Sequence, residues 1–160
     1  MSRAAKVSYQ TTLLVRDCCV CLHVQRAARA LARRFDLALR PLQLTGGQFS
    51  LLMSLNRPQA PSMSAVAGLL AMDRTTLTAA LKPLAQRALV RVTANPADRR
   101  SRLVTLTARG RSLLARAVPV WERTHAQVEA LIPDGDPDSL RNNLRALSSS
   151  LRRSPIIPPH

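Results

Sequence analysis

The chain has 160 residues, 46% hydrophobic but only 2% aromatic, and carries a formal charge of +15 with a pI near 11.8. That length allows one domain, or one lobe with the helices that pair it to a second copy. A core drawn from Leu, Ala and Val suits packed helices better than a β-sandwich. No apolar run approaches the ~18–20 residues of a membrane span. No signal-peptide pattern follows Arg3 and Lys6, so a cytoplasmic, nucleoid-associated location is expected.

Of the 24 basic residues 22 are Arg, an excess that points to a polyanionic partner, nucleic acid before an anionic membrane surface. Residues 74–116 hold ten basic side chains and one acidic one, Asp98, so the contact is expected there. The nine acidic residues are scattered through helix caps and loops. No nucleotide loop, metal-ligand set or nucleophile triad is visible, so neither an enzyme nor a cofactor is expected.

In chain order, residues 1–11 are polar and unpatterned. Over 13–39 the apolar positions Leu14, Cys18, Cys21, Leu22, Ala28, Leu31, Phe35 and Leu39 recur at helical spacing, which predicts one long amphipathic helix ended by Pro41. Thr45 is placed to cap a second helix containing Phe49, Leu51 and Leu52, and NRPQAP (56–61) stops it. Ser62 caps a short third helix and Asp73 a fourth over 74–87. Residues 90–93 and 103–106 alternate and are β-branched, hence two strands around a polar, basic turn. Thr107 caps a long helix over 108–131 that contains Pro119. The loop PDGD (133–136) precedes a last helix over 137–152, and the tail SPIIPPH (154–160) leaves Ile156 and Ile157 to pack on a partner.

Short helix, tight turn, helix and hairpin is the informative unit. The fourth helix carries Arg74, Thr75, Thr76, Thr78 and Lys82 opposite Leu77, Ala80, Leu81 and Leu84. Arg can fork onto guanine and Thr can bond a base edge or touch a thymine methyl, which is what reading a major groove requires. On its own this face fits a generic amphipathic helix equally well. The hairpin turn decides between the two, because Arg99, Arg100 and Arg102 crowd beside Asp98 and serve no core. Pro83, inside the helix, is expected to bend it slightly after the groove-reading half.

The run DRTTLTAALKPLAQRALVRVTANPADRRSRLVTLTARG (73–110) resembles the recognition helix and wing of MarR-type regulators, with DRR followed by LVTLTARG its most specific part. The resemblance extends over about residues 13–151. It implies a mainly α fold with a small β-hairpin wing, in which a winged helix-turn-helix lobe joins a helical dimerisation region. The chain would then be a single MarR-like domain (1–160), with dimerisation helices at 13–40 and 108–152, the DNA-binding lobe at 45–107 and flexible arms at 1–11 and 154–160. The implied activity is that of a homodimeric, sequence-specific repressor on a near-palindromic operator in double-stranded DNA, released by a small molecule or an oxidant. Arg100 would enter the minor groove and Asp98 would hold the wing arginines. Ser62, Ser64 and Arg99 would touch phosphates, with Arg102 beside them on the wing. Arg74, Thr75, Thr76, Thr78 and Lys82 would face the major groove. The competing reading is a non-specific basic nucleic-acid-binding (architectural) protein, which rests on charge alone.

All three cysteines lie in CCVC (18–21). On one continuous helix Cys18 and Cys21 would share a face, with Cys19 turned about 100° away. Zinc is not expected, since there is no second CxxC and His23 points elsewhere. Peroxide-sensing members of the family carry a reactive cysteine near the start of the first helix, where Cys21 falls, so Cys18, Cys19 and Cys21 are candidate sensors. The tyrosines that surround that thiol are replaced here by Gln25, Phe35 and Gly46, while Arg26 supplies a nearby charge. A small aromatic effector is the other candidate signal, with His23, Phe35, Phe49 and Trp121 as pocket candidates.

Overall fold

In the computed structural model the described residues are 6–132 and 136–153, with side chains described for all of these except Arg99 and residues 150–153. The elements are α1 Tyr9–Cys18, α2 Val20–Leu39, α3 Gly46–Ser54, α4 Met63–Leu70, α5 Arg74–Gln86, β1 Val90–Asn95, β2 Asp98–Leu106, α6 Ala108–Glu129 and α7 Pro137–Arg153. This is the expected mainly α arrangement with one hairpin wing. The tail with Ile156 and Ile157 and loop residues 133–135 lie outside the described residues.

The long first helix is instead two. Cys19 has extended backbone (φ −74°, ψ 103°), which ends α1 and makes Cys19 the N-cap of α2, its Sγ accepting from the Leu22 amide at 3.5 Å. Backbone bonds of helical span continue across the break, Cys19 N to Val15 O and His23 N to Cys19 O, each 3.1 Å. The apolar spacing therefore passes over the break unchanged, which is why periodicity hid it. The facing of Cys18 and Cys21 that assumed one helix does not carry over. Residues 9–11, read as a loose arm, are helical, because the Ser8 hydroxyl caps α1 through the Thr11 amide at 3.2 Å.

The four expected caps are in place. Thr45 and Gln48 form a reciprocal capping box at α3. Ser62 Oγ accepts from Ala65 N, Asp73 Oδ1 from Thr76 N and Thr107 Oγ1 from Gly110 N. Each satisfies an amide that the first helical turn cannot. Pro41 sits in a 3-10 turn, Arg40–Leu42, just after α2 ends. Pro83 lies within α5, and the helix continues through it to Gln86.

The strands are longer than side-chain pattern suggested. β1 and β2 pair antiparallel from Val90↔Leu106 to Ala94↔Arg102, with an irregularity before Asn95↔Asp98, and the turn shrinks to Pro96 and Ala97. Ladder bonds are made by the backbone, so a polar, basic stretch can pair as well as a β-branched one. β2 also docks on the start of α4, where Val104 N donates to Pro61 O at 3.0 Å and Ser62 bridges Leu103.

The chain forms two compact units, Met1–Trp121 and Glu122–His160. In the first, Leu39, Leu51, Leu52, Val66, Leu77, Leu84, Leu89 and Val104 are fully buried. Phe49 and Trp121 stack beside them with centroids 6.0 Å apart. In the second, Glu129 near the end of α6 pairs with Arg141 of α7 and with His125, and Arg141 also reaches Asp138.

The junction between the base of the wing and the start of α6 rests on Gly110. A Cβ there would lie 2.0 Å from the Leu89 carbonyl oxygen, and this neighbour is backbone that cannot swing aside. Gly110→Ala is expected to destabilise the fold by roughly 4 kcal/mol or more, seen as a fall in Tm of about 10 °C or more. At Gly68 in α4 a Cβ would meet nothing within 4 Å, so Gly68→Ala should raise stability by about 0.5–1 kcal/mol. Thermal melts of the two variants should move in opposite directions.

Candidate nucleic-acid interface

The α4–α5 turn is built by Ala71, whose left-handed backbone (φ 55°) closes α4. The Met72 amide returns to Ala67 O at 3.0 Å, and Asp73 then caps α5. This sets the exposed side chains of α5 on an open groove of about 690 Å³ lined by Arg74, Thr75, Thr78 and Lys82, with Met63 and Val92 across from them. Leu77, Leu81 and Leu84 hold the helix to the core.

Thr76 is set apart from the other four. Its hydroxyl donates to Asp73 Oδ2 at 2.6 Å while its amide donates to Oδ1 at 2.7 Å, and its side chain does not line the groove. Exposed as it is, it clamps the cap. The Thr78 hydroxyl donates to the Arg74 carbonyl at 2.8 Å, which leaves its methyl and lone pairs facing out. Among the described residues no carboxylate pairs with Arg74 or Lys82. The Asp73 carboxyl is held below its ordinary range, first by the Thr76 hydroxyl and then by the Thr76 amide.

On the wing, Asp98 Oδ1 accepts from the Arg100 backbone amide at 3.0 Å, and Asn95 Oδ1 from the Ala97 amide at the same distance. Asp98 therefore shapes the strand that carries Arg100. Arg100 and Arg102 are exposed; the side chain of Arg99 lies outside the described residues. Ser64 is exposed on the first turn of α4, and Ser62 is half-buried at its cap.

The other candidates separate. Phe35, Phe49 and Trp121 line one cavity of about 210 Å³ together with Ala32, Gly46 and Ser50. His23 is not among its lining residues; it is exposed, with Nδ1 2.9 Å from Cys19 O. Cys18 and Cys21 are exposed, and Gln25 Nε2 donates to Cys21 Sγ at 3.3 Å. Among the described residues no group of His, Cys, Asp and Glu could hold a metal ion.

Sequence reasoning missed Met63, Ala79 and Val92 as groove walls. Ala79 was available from helical spacing, one turn from Thr75. Met63 and Val92 belong to other elements and needed the fold.

Because hydrogen bonds lower the Asp73 pKa, the cap's contribution is complete above the unfolded carboxylate value of about 3.9 and is lost as pH falls through the lower folded value. The Thr76 amide resonance should follow this titration with a midpoint below about 3.9. Asp73→Asn, which keeps a capping oxygen, should abolish that titration and leave α5 helical; a midpoint in the ordinary range would contradict the clamp.

The comparisons agree with this geometry. The MarR family profile matches residues 44–101. The M. tuberculosis transcriptional regulator MosR, solved in complex with DNA, is 38% identical, with 84% of this chain and 96% of that one covered and a TM-score of 0.76. The transcriptional repressor CouR, bound to a DNA duplex, is 27% identical over 90% of this chain and 99% of its own, with a TM-score of 0.74. Bordetella bronchiseptica BpsR, whose DNA binding is regulated by 6-hydroxynicotinic acid, is 30% identical over 81% and 92%, with a TM-score of 0.72. No curated protein sequence matches the chain. Helix-turn-helix, wing, family profile and a 38% identical regulator together place the chain in the MarR family of transcriptional regulators.

Proposed function

We propose that the chain is a homodimeric, sequence-specific double-stranded DNA-binding transcription regulator, a repressor that occupies a near-palindromic operator and releases it on a small-molecule or oxidant signal. The observation that carries this is the α5 groove, where Arg74, Thr75, Thr78 and Lys82 share one exposed face. A helix about 10–12 Å across fits a major groove about 12 Å wide. Arg74 then forks onto guanine, the Thr78 methyl meets a thymine, and Lys82 reaches backbone. Arg100 enters the minor groove, with Arg99, Arg102, Ser62 and Ser64 on phosphates. Thr76 and Asp98 act through the residues they position.

Dimerisation accounts for apolar side chains left exposed on helices at both ends of the chain. Val15, Val20, Val24 and Leu31 on α1 and α2, and Leu140, Leu144 and Leu147 on α7, are each at least 40% exposed. The α7 set recurs every three or four residues, a stripe that a lone chain would leave in water. No described helix is long and apolar enough to cross a membrane, and a nucleoid-bound cytoplasmic protein fits this reading. A regulator of this family needs no catalytic group.

For the signal, the Phe35–Phe49–Trp121 cavity suits a small aromatic ring. BpsR supports that choice, since an aromatic acid regulates its DNA binding. An oxidant would act at CCVC, where peroxide converts a thiol to a sulfenic acid and is itself reduced to water. A mobility shift with aromatic acids and with peroxide, repeated with Trp121→Ala and Cys21→Ser, assigns the signal to whichever variant loses its response.

The central test titrates the chain's own promoter DNA and a random duplex side by side. Specific binding should exceed random by about 10³-fold or more at physiological salt. Arg100→Ala should lower affinity about tenfold or more for both duplexes and reduce the salt slope by about one. Equal affinity for the two duplexes in the unaltered protein would leave only the architectural reading.

A further inference from the structure

One cavity of the Met1–Trp121 unit is unlike the rest. It measures about 370 Å³, within the size range of small-molecule sites, and its polar walls are Gln43, Arg87, Arg109, Ser112 and Arg116 over an apolar floor that includes Leu89. Three arginines thus border a single space that has no acidic residue in its lining. Arg87 Nη1 donates to Gln43 O at 2.6 Å, and its other N–H groups stay available. Arg109 and Arg116 have no carboxylate partner among the described residues.

This cluster is not an extension of the α5 groove. Arg87 caps the far end of α5, thirteen residues from Arg74, hence about 20 Å away at 1.5 Å per residue. Leu89 lies at the base of the wing, about 20 Å of strand from its tip. Neither the groove-reading turns nor the wing tip reaches the cavity. The arginines here therefore need an explanation separate from the DNA face.

Placement adds a second observation. Arg109 stands in the first turn of α6, and that turn contains no acidic residue. The positive end of a helix dipole disfavours a cation there. An anion in the cavity would offset both that dipole and the mutual repulsion of the guanidiniums. The Ser112 hydroxyl and the Gln43 side chain add neutral donors, and the lining contains no aromatic ring on which a planar ligand could stack.

We propose that this cavity binds a small oxyanion carrying two or more negative charges, a phosphate ester or a polycarboxylate, which bridges the end of α5 to the first turns of α6. Forked hydrogen bonds from Arg to phosphate or carboxylate oxygens supply the recognition. The site is separate from the aromatic cavity lined by Phe35, Phe49 and Trp121 and shares no residue with it. A bound anion would join the C-terminus of the groove-reading helix to the helix that follows the wing, so its occupancy would bear on how firmly that helix is held.

Calorimetric titration of the full chain at fixed ionic strength, without DNA, tests the site with pyrophosphate and citrate as probes. One saturable site per chain is expected, with a Kd below about 1 mM for at least one probe. The probe that binds tighter identifies phosphate or carboxylate as the preferred source. The double substitution Arg109→Ser with Arg116→Ser should weaken binding about tenfold or more. Ser112→Glu, which places a carboxylate in the cavity and retains all three arginines, should do the same. Arg33→Ser on α2 changes the net charge by the same single unit as Ser112→Glu, but away from the cavity, and should change affinity less than about twofold. Thermal melts confirm that each variant is folded. Absence of saturable binding, or equal weakening by Arg33→Ser, would overturn the proposal and leave the regulator reading untouched.

Discussion

The lobe depends on how the chain crosses itself at Leu89, Thr107 and Gly110. The Thr107 amide donates to Leu89 O at 3.0 Å, and its hydroxyl lies 2.7 Å from Ala88 O and 3.2 Å from Leu89 O. The same hydroxyl oxygen accepts from the Gly110 amide at 3.0 Å. One side chain thus ties the end of α5, the base of the wing and the start of α6 into a single knot. Gly110 lets the helix come within contact of the Leu89 backbone, which any Cβ would prevent. Ala88 accepts a left-handed conformation (φ 53°) to complete the turn. From this knot α5 and the wing extend as two arms whose relative placement is set by backbone contacts.

Among the described residues, charge is then distributed on those arms without an internal ion pair. The described acidic groups near the groove are spent on backbone: Asp73 on the Thr76 amide and Asp98 on the Arg100 amide. Both acids shape an element and leave its cations unpaired, so Arg74, Lys82, Arg100 and Arg102 remain available for a polyanion. A surface arranged this way gains on binding what it does not recover internally, because exposed ion pairs within the protein would contribute little.

Local signals were the legible ones. Thr45, Ser62, Asp73 and Thr107 each announce a helix start by type and position, and each caps as expected. The exposed face of α5 was readable from spacing, except that the exposed Thr76 hydroxyl is engaged by the Asp73 cap, a choice of hydrogen-bond partner that spacing does not register. The break at Cys19 was hidden because apolar residues keep helical spacing on both sides of it. Residues 95–102 read as a turn from composition, yet all but Pro96 and Ala97 lie within the two strands, and Asn95, Asp98 and Arg102 pair across them. The arginine-lined cavity was invisible, since Gln43, Arg87 and Arg109 come together only in the folded lobe.

The central claim is that the exposed face of α5 reads base edges while the wing and caps hold it in register. Selection of bound duplexes from a random pool, done in parallel with the native chain and with Arg74→Ala, measures this most directly. The account predicts a two-fold symmetric consensus whose half-sites are centred about 10 base pairs apart. In Arg74→Ala the preference for guanine should be lost at one position per half-site, with the remaining positions kept. A pool that yields no consensus, or one that Arg74→Ala leaves unaltered, would contradict it.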